Sequence, residues 1–236
     1  MVAYHILFDI SFFNVYERLD LTSSYWKISG SLIAGTFFFI VGLSLYISFS
    51  RSVDHLEGAA LWWKYLRRGL KIFFYGIIIS SISWWLFPQS FIAFGALHFI
   101  GTAIILGFVI LYYFDPEIIS LLAISLGVIL LGLVLSNHRV NFPWMVWIGL
   151  VPKNFTSLDF FPLIPWFGAV LLGISAGKQY YPGGRRKVDL SKKSLLGPLC
   201  FVGRNSLLVY FLHQPLILGV LFFLNGTPPA GAVGPG

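Results

Sequence analysis

The sequence predicts an all-α fold, a bundle of about seven transmembrane helices of which the first is short. Of the 236 residues, 57% are hydrophobic and only 11% are charged, whereas about a quarter of the residues are charged in an ordinary soluble domain. Long apolar runs alternate with short polar loops, as in a polytopic membrane protein. We expect residues 1–225 to form one membrane domain, and the Pro/Gly/Ala-rich residues 226–236 to be a disordered tail.

Six apolar runs meet or approach the length of about 20 residues that a continuous spanning helix needs. In chain order they are residues 28–49, 70–87, 91–114, 118–135, 160–177 and 206–224. A seventh run, residues 2–16, is shorter and begins next to Met1. We therefore expect a short first span.

Two segments between these runs have less regular patterns. Residues 61–70 combine Trp and Tyr with Lys and Arg, which is typical of an amphipathic helix in the membrane interface. The loop 136–159 contains an apolar segment, residues 142–151, that is broken by Pro143 and Pro152. Because it is too short to span, we expect this segment to lie on the membrane or dip into it.

The charged residues predict the orientation of the bundle. The net charge is +7, and most of it lies in the basic segments 51–71 and 178–193. The positive-inside rule places both segments in the cytoplasm, so we expect a multi-pass protein of the plasma membrane. The positive charge then reflects contact with anionic membrane lipid rather than with nucleic acid. A single Cys excludes a disulfide scaffold and a cysteine metal site.

Five ionisable residues fall inside or beside the apolar runs: His5, Asp9, His98, Asp159 and His213. His5 and Asp9 are one helical turn apart and share a face. His98 is expected about two turns from the outer end of its span, and Asp159 opens the next-to-last span on the same side. A histidine oriented by a carboxylate suits general-base catalysis. Alternatively, each histidine only bonds a neighbouring helix. We expect no metal, because no metal-ligand spacing is present.

Basic residues at the cytoplasmic side form a collar that suits the phosphates of a nucleotide-like carrier. Its members are Arg67, Arg68, Lys71, Arg185, Arg186, Lys187 and Arg204. Arg204 stands out because it opens a helix, whose N-terminus attracts anions. The alternative is that these residues only set the topology and anchor the protein to lipid.

Four motifs occur together in the sequence. They are residues 35–45 (GTFFFIVGLSL), 94–101 (FGALHFIG), 159–168 (DFFPLIPWFG) and 203–215 (GRNSLLVYFLHQP). In this order they resemble motifs of the prokaryotic integral membrane proteins grouped with the catalytic domain of heparan-α-glucosaminide N-acetyltransferase, in the transmembrane acyltransferase superfamily. The resemblance extends from His5 to about Leu224.

The resemblance implies a membrane-bound acyltransferase. Acyl-CoA, such as acetyl-CoA, would be the donor, with its phosphates near Arg67, Arg68, Lys71 and Arg204. His5 with Asp9 and, second, His98 would be the catalytic residues, while His213 matches the final-helix motif of the family. The acceptor would be an extracytoplasmic glycan or lipid, and a homo-oligomer is compatible with this picture.

Members of this family usually begin the first helix with an acidic residue and an Arg-Gly pair, about half a helix before the position of His5. Met1 stands where that stretch should end, so we expect the start of the first helix to be absent. Two other functions remain open. The same polar residues would suit a transporter or flippase-like protein, and a short first span would suit a non-catalytic membrane partner.

Overall fold

The computed structural model describes residues 23–86 and 88–185 without further gaps, and isolated positions on either side. These positions are 2, 4, 6, 7, 10, 197, 201, 203, 205, 209, 212, 213, 216, 217, 219, 220 and 223. The chain divides into two compact units, residues 1–34 with 189–236 and residues 35–188. Each unit is described by itself below.

The described chain is predominantly helical, which confirms the predicted all-α class. The helices are α1 (Ser24–Ser52), α2 (Gly58–Leu86), α3 (Ala96–Val109), α4 (Ile118–Ser136) and α5 (Leu163–Tyr180). A single π-helical turn, Ile110–Phe114, extends α3. Two-residue strands, Arg139–Val140 and Val151–Pro152, pair in parallel within the loop between α4 and α5.

The expectation of about seven spans is corrected where the structure describes the chain: the sequence predicted five spans there, and the structure has four candidates. Among the described residues, four helices are long and apolar enough to cross a membrane, namely α1, α2, α3 with its π-helical turn, and α4. The fifth helix, α5, is not among them, because its last turn is polar and contains Lys178, which lowers its mean hydropathy. The first and last predicted spans, residues 2–16 and 206–224, lie mostly outside the described residues.

A second correction concerns residues 61–70. They do not form a separate interfacial helix, because α2 continues through them from Gly58 to Leu86. The segment contains no proline, and its Gly69 packs where α2 crosses α3. A methyl group on Gly69 would lie 2.7 Å from the carbonyl oxygen of Gly101. Close backbone contact at a small residue is a common way for membrane helices to pack, so this part of α2 is packed within the bundle.

The helix α3 is the centre of the unit 35–188. Ten of its fourteen residues are buried, whereas α4 buries only three of nineteen. The apolar outer face of α4 therefore suits contact with lipid. Small residues also set the crossing of α1 and α5, where a methyl group on Gly42 would overlap the carbonyl oxygen of Val170. Glycine at this crossing permits direct backbone contact.

Successive helices of this unit run in opposite directions, as the contacts of α2 with α3 and of α4 with α5 demonstrate. The end of α1, the start of α2 and the end of α5 therefore meet at one end, which we call the basic end. Its cations are Arg51, Lys64, Arg67, Arg68, Lys71, Lys178 and Arg185. We call the other end, where α3 begins, the histidine end. Exposed tryptophans such as Trp85 and Trp144 at the histidine end are typical of a membrane–water interface.

The unit formed by residues 1–34 and 189–236 is described at fewer positions. Tyr4 stacks on Trp26 with ring centroids 4.7 Å apart. His213 is buried, and its Nδ1 lies 3.1 Å from the carbonyl oxygen of Val209. This contact joins two residues that are four apart in the sequence.

Candidate active site: a basic cavity and a buried histidine

An open cavity of about 470 Å³ lies at the basic end, between the last turns of α1 and the first turns of α2. Its lining residues are Ser44, Ile47, Ser48, Arg51, Ser52, His55, Leu56, Lys64 and Arg68. Three are permanent cations and none is acidic. The three serines are spaced four residues apart on α1, so they share one face. The cavity therefore combines positive charge with hydroxyl groups, a composition suited to phosphate.

A hydrogen-bonded network forms one wall of the cavity. Tyr65 is completely buried, and its hydroxyl lies 3.0 Å from Ser48 Oγ and 3.1 Å from Ser52 Oγ. Lys64 Nζ donates to Ser52 Oγ. The Tyr65 ring stacks on Phe108 of α3, with centroids 4.8 Å apart. These contacts join α1, α2 and α3 beside the cavity and hold its polar groups in place.

The three cations of the cavity differ in their hydrogen-bond partners. Arg51 Nε donates to the carbonyl oxygen of Gly184, at 2.8 Å, and Lys64 donates to Ser52. Arg68 has no hydrogen bond or ion pair within the described part of the chain. Lys64 and Arg68 are four residues apart on α2, so they present their side chains to the same face. Arg68 is therefore the cation most available to a ligand.

The structure brings only part of the predicted collar to this cavity. Arg68 lines it, whereas Arg67 and Lys71 are exposed and are not among its lining residues. Arg67 is the neighbour of Arg68 and lies about 100° away around the helix. Lys71 lies over the ring of Tyr75, 5.9 Å from its centroid. Arg204 lies outside the described residues.

Sequence reasoning did not single out Arg51, Lys64 or His55 as members of a site. The first two belong to the basic segment 51–71, but a run of charge does not say which members face inward. Spacing carries that signal, since Ser44, Ser48 and Ser52 recur every four residues on an otherwise apolar helix. Together with the i,i+4 pair Lys64 and Arg68, this serine spacing would have indicated two polar helix faces that can meet.

His98 is 5% exposed and lies at the histidine end, on the first turn of α3. Its ring packs on the backbone of α2, where a methyl group on Gly76 would lie 2.9 Å from Nδ1. The ring of Phe73 meets it edge to face at 5.0 Å. Nδ1 has no hydrogen-bond partner among the described residues. A buried polar atom without a partner is rare in proteins, and it marks His98 as a functional candidate.

The position of His98 differs from the one expected. It is the third residue of α3, because the helix begins at Ala96 rather than near residue 91. Residues 88–95 instead form turns and an extended segment that pairs with the chain before α5. Phe94 bridges Phe160, and Phe161 N–H donates to the carbonyl oxygen of Phe94, at 2.9 Å. These bonds hold the segment extended and delay the helix start.

Asp159 lies at the same end as His98, as expected, but its side chain is bonded to the backbone rather than to the histidine. Its Oδ2 accepts a hydrogen bond of 2.9 Å from the N–H of Ala96, the first residue of α3. Burial raises the pKa of Asp159 to about 6, although the bond from Ala96 opposes that shift. No hydrogen bond joins Asp159 to His98 in the described part of the chain. His5 and Asp9 lie outside it, so their meeting with these two residues is untested.

Within the described residues, no group of three or more His, Cys, Asp or Glu side chains is arranged to hold a metal ion. The polar atoms of the candidate site are thus the cations and hydroxyls of the cavity, the imidazole of His98 and the carboxylate of Asp159. The cations and hydroxyls can bind an anion, the imidazole can bind or release a proton, and the carboxylate is bonded to the backbone of Ala96.

Comparison with known families matches residues 1–215 to the model of the heparan-alpha-glucosaminide N-acetyltransferase catalytic domain. Comparison with curated proteins and with solved structures gave no significant match. The family match spans the helices, the basic cavity and the His98 region, and it confirms the resemblance found in the sequence. The chain belongs to the heparan-alpha-glucosaminide N-acetyltransferase catalytic-domain family.

Proposed function

We propose that this protein is an acyltransferase of the plasma membrane. It takes an acetyl or related acyl group from cytoplasmic acyl-CoA and passes it to a glycan or lipid acceptor on the opposite side. Family membership supports the acyltransferase class. The observation that carries the choice of donor is the cavity at the basic end, where Arg51, Lys64 and Arg68 meet without an acidic lining residue.

In this proposal the phosphates of acyl-CoA bind in the basic cavity. Arg68 supplies the main contact because its guanidinium has no partner in the described chain, and charge-assisted bonds from guanidinium to phosphate are strong. Ser48 and Ser52 offer hydroxyls to the remaining oxygens. The positive-inside rule then orients the basic end, with segments 51–71 and 178–193, toward the cytoplasm, where acyl-CoA is made.

The acyl group must next reach His98. Along α2, Arg68 is eight residues from Gly76, which touches the His98 ring, and this corresponds to about 12 Å. The thioester of acyl-CoA is carried on a long, flexible pantetheine arm, which suits such a separation. Ser44 lies eight residues, about 12 Å, beyond Ser52 along α1. The polar lining of the cavity therefore already points toward the interior.

At the thioester, the acceptor's amine or hydroxyl attacks the acyl carbon. A new C–N or C–O bond forms, the C–S bond breaks, and coenzyme A leaves as the thiol. His98 accepts the acceptor's proton and returns it to the leaving sulfur, as a general base and then a general acid. His5 and Asp9 remain predicted as a catalytic pair, and Arg67, Lys71 and Arg204 as further donor contacts.

The test uses purified protein in lipid nanodiscs with acetyl-CoA labelled in the acetyl group. We expect the label to move to glycan or lipid acceptors in a membrane extract. We also expect coenzyme A to bind and to compete with acetyl-CoA, whereas pantetheine, which lacks the phosphates, binds at least 10-fold more weakly. Binding without turnover would favour a transporter. The absence of both binding and turnover would exclude the proposed function.

A further inference from the structure

We propose that Asp159 is a positioning residue, whose side chain fixes the first turn of α3 and so the place of the His98 imidazole. It does so without exchanging a proton with the substrate. This inference rests on the proposed function, because it concerns the histidine assigned to that reaction. The argument depends on the Asp159–Ala96 bond, the anchoring of the Asp159 segment and the packing of His98.

The first N–H groups of a helix have no carbonyl partner within the helix. In most helices a side chain at the preceding residue accepts one of these bonds. Here the preceding residue is Gly95, which has no side chain, and Asp159 takes over from a position 63 residues later. A methyl group on Gly95 would overlap Oδ2 of Asp159. Glycine at 95 and aspartate at 159 are thus complementary.

The segment that carries Asp159 is itself firmly anchored. Leu158 N–H donates to the carbonyl oxygen of Ser90, and Phe161 N–H to that of Phe94, both at 2.9 Å. Ser157 Oγ lies 2.9 Å from the carbonyl oxygens of both Phe91 and Asp159. These bonds fix the backbone on both sides of Asp159. Asp159 therefore holds Ala96 from a fixed point.

The imidazole of His98 depends on the same turn. It lies two residues after Ala96, and its ring fits between Gly76 and Phe73 of α2. If the first turn frays, this side chain loses its backbone support while α2 stays in place. A displacement of about 1 Å at a reacting group can lower a rate by about 100-fold. Loss of the Asp159 bond should consequently reduce catalysis without touching the donor cavity.

Three variants test the proposal in the transfer assay. Asn keeps a carbonyl oxygen that can accept the bond but lacks the charge, so we expect D159N to retain activity within about threefold. D159A removes the acceptor, and G95A displaces it without removing a polar group. Both should lower kcat at least 10-fold and leave the KM for acetyl-CoA unchanged. Equal losses in D159N and D159A would overturn the proposal in favour of a catalytic charge, and full activity of D159A would also overturn it.

A second measurement does not depend on turnover. Hydrogen exchange of the backbone amides of residues 96–100, followed by mass spectrometry in nanodiscs, reports directly on the first turn of α3. We expect the wild type and D159N to be equally protected, and D159A and G95A to exchange about fivefold faster, as for a helix that loses its cap. Unchanged exchange in D159A would overturn the positioning role. If the wild type fails to transfer acyl groups, the proposed function fails, and this exchange pattern still decides the role of Asp159.

Discussion

The basic end and the histidine end of the unit 35–188 are built in opposite ways. At the basic end, cations and hydroxyls line an open cavity, and Arg68 has no partner within the described chain. At the histidine end, His98 is buried and Asp159 is tied into the backbone. An open, positively charged surface suits the capture of an anionic ligand, whereas a fixed, enclosed group suits chemistry. In the proposed function, binding and reaction accordingly take place at different ends.

One helix links the two ends. The start of α3 carries His98, and Phe108, ten residues or about 15 Å further on, stacks on Tyr65 beside the cavity. The π-helical turn that follows ends at Phe114, and the next residue, Asp115, has a carboxylate that pairs with Lys178 of α5 at 2.7 Å. Because ten of its fourteen residues are buried, α3 cannot shift without disturbing its neighbours. The distance between the basic cavity and His98 is therefore fixed by a packed helix.

The largest effect is expected at the histidine end. The substitution H98Q removes the group assigned to proton transfer, so kcat should fall by about 100- to 10,000-fold, the usual range for general acid–base catalysis. Binding of coenzyme A, measured by isothermal titration calorimetry, should change less than twofold. The matched control is H138Q, an exposed histidine in the loop after α4. If H98Q keeps full activity, His98 has no catalytic role.

The next effect is expected at the basic end. In R68A, coenzyme A should bind at least 10-fold more weakly, because a charge-assisted hydrogen bond contributes about 1.5–3 kcal/mol. R67A is the comparison variant: Arg67 is adjacent, equally charged and outside the cavity, so as an outer contact it should matter less for binding than Arg68. Calorimetry on both variants compares one charge removed inside the cavity with one removed beside it. Equal losses would mean that net charge, rather than the cavity, attracts the donor.

A smaller effect should follow from crowding the histidine. G76A adds a methyl group 2.9 Å from His98 Nδ1, and overpacking of this kind destabilises proteins by about 1–3 kcal/mol. We expect a lower melting temperature and a lower kcat, with coenzyme A affinity retained. G127A on α4 is the control, because a methyl group there meets no atom within 4 Å. An unchanged melting temperature and kcat in G76A would contradict the tight packing of the His98 ring.

The smallest effect concerns pH. Burial raises the pKa of Asp159 to about 6, above the value of about 3.9 expected in the unfolded chain. The carboxyl group therefore adds stability below pH 4 that is lost as the pH rises through 6. D159N lacks this titration. The melting temperature of the wild type relative to D159N should fall by a few degrees between pH 4 and pH 7, and a flat difference would contradict the shift.

The helices that span were predictable because their length and apolarity are local properties. The run 118–135, for instance, matches α4 within one residue. The start of α3 was not predictable, because residues 91–95 are as apolar as the helix after them. They become extended through bonds to Phe160 and Phe161, more than 60 residues away. Long-range pairing of this kind leaves no periodic pattern in the sequence.

The sequence indicated which kinds of residue to expect at the candidate site, but not which individual residues line it. His98 and Arg68 were identified from their apolar or basic surroundings, and the structure places Arg68 in the lining of the cavity and buries His98. Arg67 and Lys71 could not be separated from Arg68 by composition, since only the rotation of α2 against α1 decides which side chain lines the cavity. Nor could the sequence indicate that Asp159 caps α3, because an acidic residue can cap a helix from any distance along the chain.

The most direct test of the separation between binding and chemistry is a cryo-electron microscopy structure of the protein in nanodiscs with coenzyme A. We predict density for the phosphates within 4 Å of Arg68 and Arg51, with the pantetheine arm leading past Ser44 toward His98. Density for the phosphates beside His98, or at the histidine end near Arg139 and Lys153, would contradict the account.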